Sequence, residues 1–213
     1  MVLATGPCDG LRFERHHLEE VLEATTAEDR VEAFVKLGVL RGDASGVFAF
    51  VPVVIGTGGG ADPMAFDHGP HRALIAESHQ RSRGYGISSD DRPDFSNKGR
   101  VAVNEARDEN KFLFQHAAPV MEMLFEQIID SHSMIVLTDA QGTILHSVGD
   151  NDFLERADKI ALAPGANWAE HSKGTNAIGT ALFAEAPTVV HAGEHFMHAH
   201  NFLTCSATPI FDP

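Results

Sequence analysis

The chain has 213 residues, 43% of them hydrophobic, enough for one domain of ordinary size plus an accessory region, or for two small ones. Its 16 basic against 30 acidic residues give a formal net charge of −14, a surface potential that repels phosphate backbones and anionic membranes, so direct nucleic-acid or membrane binding is not expected. Cys8 and Cys205 make no disulfide framework, and with neither an 18-residue apolar run nor a basic-then-apolar leader the expectation is a soluble cytoplasmic protein.

Between Arg12 and Leu40, Leu18, Val21, Leu22, Val31, Phe34 and Val35 recur at spacings of three and four, the period of amphipathic helices. Two short helices are expected, the second capped by Thr26 with Glu28 and Asp29 in its positively polarised first turn. Val47 to Ile55 is a continuous apolar run that reads as a buried strand, although Pro52 brings no donor to a ladder. In Gly56-Thr57-Gly58-Gly59-Gly60-Ala61-Asp62-Pro63 the pattern G-x-G-x-x-A follows a strand-like run. A dinucleotide site requires a second strand with an acidic ribose ligand about 20 residues on. His71 to Arg83 reads as helix instead, so the segment reads as a glycine-rich linker.

Asp90 to Gly99 is a polar loop. Asn104–Phe114 and Pro119–Ser131 read as helices on which Leu113, Ala117, Val120, Met121, Leu124 and Ile128 form one apolar stripe. Pro119, lacking a backbone donor, is expected at a first turn or a kink. The stripe serves equally to cover the chain's own sheet or to pair with a second copy in a homodimer. Met134–Asp139 and Thr143–Val148 form a hairpin in which Gly142 supplies a positive φ. Asp152–Lys159 is a short helix, and Pro164-Gly165 opens a loop. Thr175 or Asn176 caps a helix ending near Glu185, which Pro187 keeps from extending. Thr188–His191 is a strand, Ala192–Asn201 a His-rich loop or short helix, and Thr204–Phe211 the last strand. This order describes an α+β fold, an antiparallel sheet covered by helices, with a helical N-terminal region.

The polar residues in the loops are the candidates for function. Trp168, the only tryptophan, lies off any periodic face, where its indole either walls a cavity and fixes a ligand oxygen through N–H or pins the loop to the core. Glu170 accepts hydrogen bonds from a hydroxylated ligand or is simply solvated. Gly174-Thr175-Asn176 starts a helix first, and its free N–H groups offer ligand contact second. His191, His195, His198 and His200, with Glu194 and Cys205, are the best candidates for metal chemistry. The pattern H-E-x-x-H is absent, however, and closely spaced loop histidines are more often hydrogen-bonded or solvated. Cys205 reads as a small buried hydrophobe with no base placed beside it, so no nucleophile and no catalytic residue is expected.

Asn167-Trp168-Ala169-Glu170, Gly174-Thr175-Asn176-Ala177-Ile178-Gly179, Glu194-His195-Phe196 and Leu203-Thr204-Cys205-Ser206-Ala207-Thr208-Pro209-Ile210 together resemble the N-terminal sensor region of sigma-54-dependent transcriptional activators of the acetoin catabolism regulator type. The resemblance runs from about Ile75 to Pro213; Ala169 stands where the family usually has Ser, and His79 where Trp is common. It implies a GAF domain, no enzyme activity, no cofactor and no bound metal. A small neutral effector, acetoin or a diol, alcohol or phenol, is then held by Trp168, Glu170, Thr175, Asn176, His195, Phe196 and Cys205. The ATPase and DNA-binding domains of the full-length regulator are the implied partners, since no G-x-x-x-x-G-K-[ST] occurs here. The expected organisation is an accessory region with its linker at 1–70, a helical lead-in at 71–132 and a GAF-like sensor at 133–213. The sensor lacks the return strand and closing helix of such a sheet, so either the sequence is a truncated piece or something else covers the edge. The competing expectation is a metal-dependent enzyme or metal-based sensor built on His195, His198, His200 and Cys205.

Overall fold

The computed structural model describes residues 47–54, 68–92, 94–95 and 99–211. The helices expected between Arg12 and Leu40, the glycine-rich linker and Cys8 lie outside the described residues. In chain order the described residues form β1 (Val47–Val54), α1 (His68–Gly84), α2 (Arg100–Glu109), α3 (Lys111–Ile128), β2 (Ser133–Thr138), β3 (Ile144–Gly149) and α4 (Asn151–Asp158). The single turn α5 (Glu170–Lys173), α6 (Ala177–Ala184), β4 (Thr188–His191) and β5 (Thr204–Phe211) follow, with 3₁₀ turns at Ala192–Glu194 and His198–His200. The architecture is α+β. Among the described residues no helix is long and apolar enough to cross a membrane.

The strands make one five-stranded antiparallel sheet in the order β3-β2-β1-β5-β4. The strand that patterning allots to the accessory N-terminal region therefore lies in the middle of the sheet: Val53 faces Met134 on one side and Cys205 on the other. β5 is flanked on its two edges by β1 and β4: β4 pairs with Thr204–Ala207 on one edge, and β1 pairs on the other with Cys205 and with Thr208 to Phe211. The edge expected to need covering is thus covered by an N-terminal strand. The β1–β5 register passes over Val51 and Pro52 while β1–β2 continues through Pro52↔Ile135, as befits a residue with no N–H to donate.

Both faces of β2 are covered, so this strand is buried along its whole length rather than alternating. Met134 and Val136 join one core with Phe153, Trp168, Ile178, Ala181, Val190, Leu203 and Cys205. Ile135 and Leu137 join the other with Leu113, Met121 and Leu124 of α3. The stripe is therefore used against the chain's own sheet, without Val120, which is 43% exposed.

The two helices are bounded differently from expectation. They meet at Asn110, whose amide side chain donates back to the Ala106 carbonyl and ends α2. Pro119 lies inside α3 and neither starts nor breaks it. A proline in a helix interior costs about 3 kcal/mol, offset here by Leu113 before it and Met121 and Leu124 after it packing on the sheet. The hairpin turn is as expected: Gly142 has φ +80°, and the Asp139 carboxylate accepts from the N–H groups of Gln141 and Thr143 at 2.9 and 2.7 Å.

Candidate functional site

The loop from Pro164 to Asn176 is fixed first by backbone. The Trp168 N–H donates to the Gly142 carbonyl at 2.8 Å, tying the loop to the hairpin turn. Asn176 caps α6, its side-chain oxygen accepting from the Gly179 N–H at 3.0 Å while its amide donates to the carbonyls of Trp168 and Gly174. Gly174 has φ +68°, and a side chain on it would strike Phe196 at 2.7 Å, so the two loops can lie directly against each other here only with glycine at this position. Gly179 allows α6 to sit against the backbone of Glu170, 2.4 Å from where a Cβ would stand. The spacing of the glycines is thus the spacing of two backbone contacts.

Glu170 is 4% exposed, and both of its oxygens are hydrogen-bonded within the chain. Its Oε1 accepts from Ser78 Oγ at 2.5 Å, Thr180 Oγ1 at 2.9 Å and Arg81 Nη2 at 2.8 Å, and its Oε2 from Arg81 Nε at 2.6 Å. A carboxylate offers about four acceptor positions, and the chain itself makes four hydrogen bonds to this one, three at Oε1 and one at Oε2. The carboxylate in turn raises the Arg81 pKa, its hydrogen bonds outweighing desolvation. Thr175 Oγ1 stands 2.8 Å from Ser78 Oγ and 3.2 Å from Ser82 Oγ. Glu170, Thr175 and Asn176 therefore hold the loop together, their side chains hydrogen-bonded within the chain. Sequence patterning does not single out Ser78, Arg81, Ser82 or Thr180. The available signal is Ser78 and Ser82 one helical turn apart beside Arg81, on a helix with almost no apolar stripe.

The second loop carries His195, Phe196 and the 3₁₀ turn His198–His200. Helix α1 reaches it too: His71 Nε2 lies 2.8 Å from Glu194 Oε1, and His79 Nε2 2.8 Å from the Glu194 carbonyl. One helix thus holds both loops, through Ser78 and Arg81 on Glu170 and through His71 and His79 on Glu194. Phe196 is buried edge-on to His79, with ring centroids 5.4 Å apart.

Where the loops meet, three rings pack together. Trp168 is 1% exposed, lies 4.7 Å from the His200 ring at 30°, and donates its indole N–H to the Ala161 carbonyl at 2.9 Å. The N–H expected to fix a ligand oxygen is thus already used, and the ring face is what remains. His195 and His200 meet edge to face at 6.3 Å. The Nδ1 of His195 is 3.0 Å from the Ala192 carbonyl, but its Nε2 and both nitrogens of His200 are buried without a partner. Burial depresses the His195 pKa to about 4 and, aided by His195 and Lys173, that of His200 to about 3, so both imidazoles are neutral. Lys173 is itself buried, which lowers its pKa, and its Nζ donates to the Asp94 carbonyl at 2.9 Å.

Cys205 shares the core of Trp168, and burial pushes its thiol up to about 12, the behaviour of an inert hydrophobe. Ser206 Oγ is also buried without a partner. Strand alternation aims it away from Cys205, to the opposite face of the sheet. The metal set His195, His198, His200 and Cys205 is not assembled: the His198 side chain is 63% exposed and lies 3.0 Å from Asp90. Among the described residues no three His, Cys, Asp or Glu side chains converge as a metal requires. An open hollow of about 510 Å³ lies elsewhere, lined by Phe125, Ile129, Asp130, His132 and Gly149 to Asp152, and none of the expected ligand residues borders it.

A family model described as MimR, N-terminal domain, matches residues 67–213. The propane 2-monooxygenase operon transcriptional activator MimR of Mycolicibacterium smegmatis is 34% identical over 142 residues, 65% of this chain and 23% of that protein. The acetoin dehydrogenase operon transcriptional activator AcoR of Bacillus subtilis is 31% identical over 144 residues, again 65% of this chain and 23% of the relative. The chain thus spans about a quarter of the length of these relatives. Among solved structures, the E. coli DhaR(N)–DhaL complex aligns with a TM-score of 0.58 and 19% identity, covering 64% of this chain and 52% of that one, a likeness of fold.

Proposed function

The chain belongs to the family of MimR N-terminal domains, and from that premise we propose that it is the ligand-sensing region of a transcriptional activator. In this reading a GAF-type sheet and its loops bind a small neutral metabolite of the acetoin, diol, alcohol or phenol class, and the bound state controls an ATPase module of the intact regulator. The relatives named as activators support the regulatory role.

The observation that carries the reading is the grip of α1 on both loops, by Ser78 and Arg81 at Glu170 and by His71 and His79 at Glu194. A ligand seated between the loops changes their separation, and a helix bonded to each cannot keep both sets of contacts unaltered. Differential affinity for two arrangements of loops and helix is what a sensor requires. A neutral occupant follows from the surroundings, since the carboxylate and guanidinium already satisfy each other and an ion among uncharged rings bears an uncompensated desolvation cost.

Trp168, the only tryptophan, reports on the site directly. Titration of the chain with acetoin, butane-2,3-diol and phenol should give a saturable change in its emission matched by saturable heat. Absence of both with all three compounds would remove the metabolite-sensor reading.

A further inference from the structure

We infer that the second face of the sheet, where β5 and β4 run, is a docking surface for this chain's own segment Arg12–Leu40. The apolar stripe of that segment closes the half of the face that α3 leaves open.

The described helices divide the sheet unequally. On the first face α6 packs on β1, β5 and β4, its Ile178 and Ala181 sharing one core with Val190, Cys205 and Ala207. On the second face α3 packs on β2 and β3, and its core reaches β5 at Ile210. Strand alternation turns Thr204, Ser206 and Thr208 to this second face, and the pairing Val189↔Ser206 adds Val189 of β4. A bare sheet face leaves such side chains in water. Ser206 is instead 7% exposed with its hydroxyl buried, and Thr204, Thr208 and Val189 are half-buried. Among the described residues α6 is the helix packed on β5 and β4, and it lies on the other face, so the shielding comes from elsewhere in the chain.

Reach and shape name the occupant. Residues 41–46 join Leu40 to the start of β1 at Val47, and six residues span at most about 20 Å. β5 and β4 lie one and two strands away from β1, within about 10 Å of it. The segment therefore reaches this face easily, while α6 fills the first face and α3 the half over β2 and β3. Leu18, Val21 and Leu22, then Val31, Phe34 and Val35, repeat at three and four, giving each stretch one apolar side that needs burial. The floor offered to them is of small side chains, Thr204, Ser206 and Thr208, bordered by Val189 and Ile210, and it admits large apolar groups such as Phe34.

A nitroxide placed at Lys36→Cys in the full chain, with Cys8→Ser, tests the seat without disturbing the stripe. The Cys205 thiol, buried and pushed up to about 12, does not compete for the label. Paramagnetic broadening should be strongest at the methyl groups of Val189, Thr204, Thr208 and Ile210, and weaker at Ile178 and Leu162 behind the first face. Broadening that is absent, or stronger behind the first face, overturns the assignment. A mixture of spin-labelled chains with separate ¹³C-methyl chains should stay sharp; broadening there would mean that the segment covers a second copy, which also overturns it. In a second variant, Phe34→Asp, amide hydrogen exchange in β4 and β5 should rise at least about tenfold while β2 beneath α3 keeps its protection. Unchanged exchange at Val189 and Ser206 would show that the segment does not cover them.

Discussion

The indole of Trp168 and the imidazole of His200 lie face to face, 4.7 Å apart between ring centroids and 30° from parallel, with His200 completely shielded from solvent. A ring stacked on the buried tryptophan is therefore ionisable in principle and held neutral by its burial. The edge-on neighbour His195 is in the same condition.

That condition makes stability depend on pH. Burial holds the folded-state values of His195 and His200 at about 4 and about 3, against 6.5 for an exposed imidazole. Below pH 6.5 the unfolded chain takes up protons that the folded chain refuses, so stability is full above that value and falls as pH drops toward 4. The slope approaches about 1.4 kcal/mol per pH unit for each histidine. Urea unfolding at several pH values between 7 and 4.5 measures it, and His200→Phe should flatten the profile by one proton's worth. Identical slopes for the two proteins would mean that His200 ionises within the fold.

The same substitution tests whether the His200 nitrogens lack partners at neutral pH. A buried polar group without a partner costs about 1–3 kcal/mol, and Phe keeps a ring against Trp168 while removing two of them. His200→Phe should therefore raise the thermal midpoint by a few degrees, less whatever the bulkier ring costs in packing. A fall of several degrees would show that both nitrogens are satisfied in solution.

The sequence carries the order of elements and the loop motifs well, because each rests on a local cause: the period of α3, the turn at Gly142, the cap at Asn176, the stop at Pro187. Non-local causes are not legible there. Nothing in the β1 segment says that it slots between β2 and β5, since its partners come from segments about 80 and 155 residues further along the chain. Likewise, Glu170 reads as a loop carboxylate until α1, about ninety residues earlier in the chain, brings Arg81 and Ser78 to it. The histidines show the limit most clearly: four occur within ten residues, yet only folding separates exposed His198 and His191 from buried His195 and His200.

The Glu170–Arg81 pair should behave as a part-buried ion pair, its carboxylate shielded and its guanidinium partly exposed, with halves unequal in consequence. Arg81→Met leaves the carboxylate shielded with only Ser78 and Thr180 as donors, and should cost about 3–5 kcal/mol. Glu170→Gln keeps the shape and should cost less, and the double variant should recover part of the loss, giving a coupling of more than about 1 kcal/mol. Chemical denaturation of the four proteins completes the cycle. Strictly additive losses would mean that the two side chains do not stabilise each other.

Gly174 offers the sharpest test that the two loops depend on one contact. Its φ of +68° with ψ −163° is a conformation that side chains resist, and a Cβ there would lie 2.7 Å from Phe196 Cβ and 2.9 Å from its Cδ1. Neither ring nor backbone can yield cheaply, because Phe196 is buried beside His79 and its N–H donates to the Thr175 carbonyl at 3.1 Å. Gly174→Ala should therefore cost about 2–4 kcal/mol, strain and clash together. Gly193→Ala is the control: it lies in the same second loop, with nothing within 4 Å of the added carbon, and should change stability by less than about 0.5 kcal/mol. Thermal or urea unfolding of both variants decides the matter. Equal, small effects would mean that Phe196 moves freely and that the loops are not held against each other at this point.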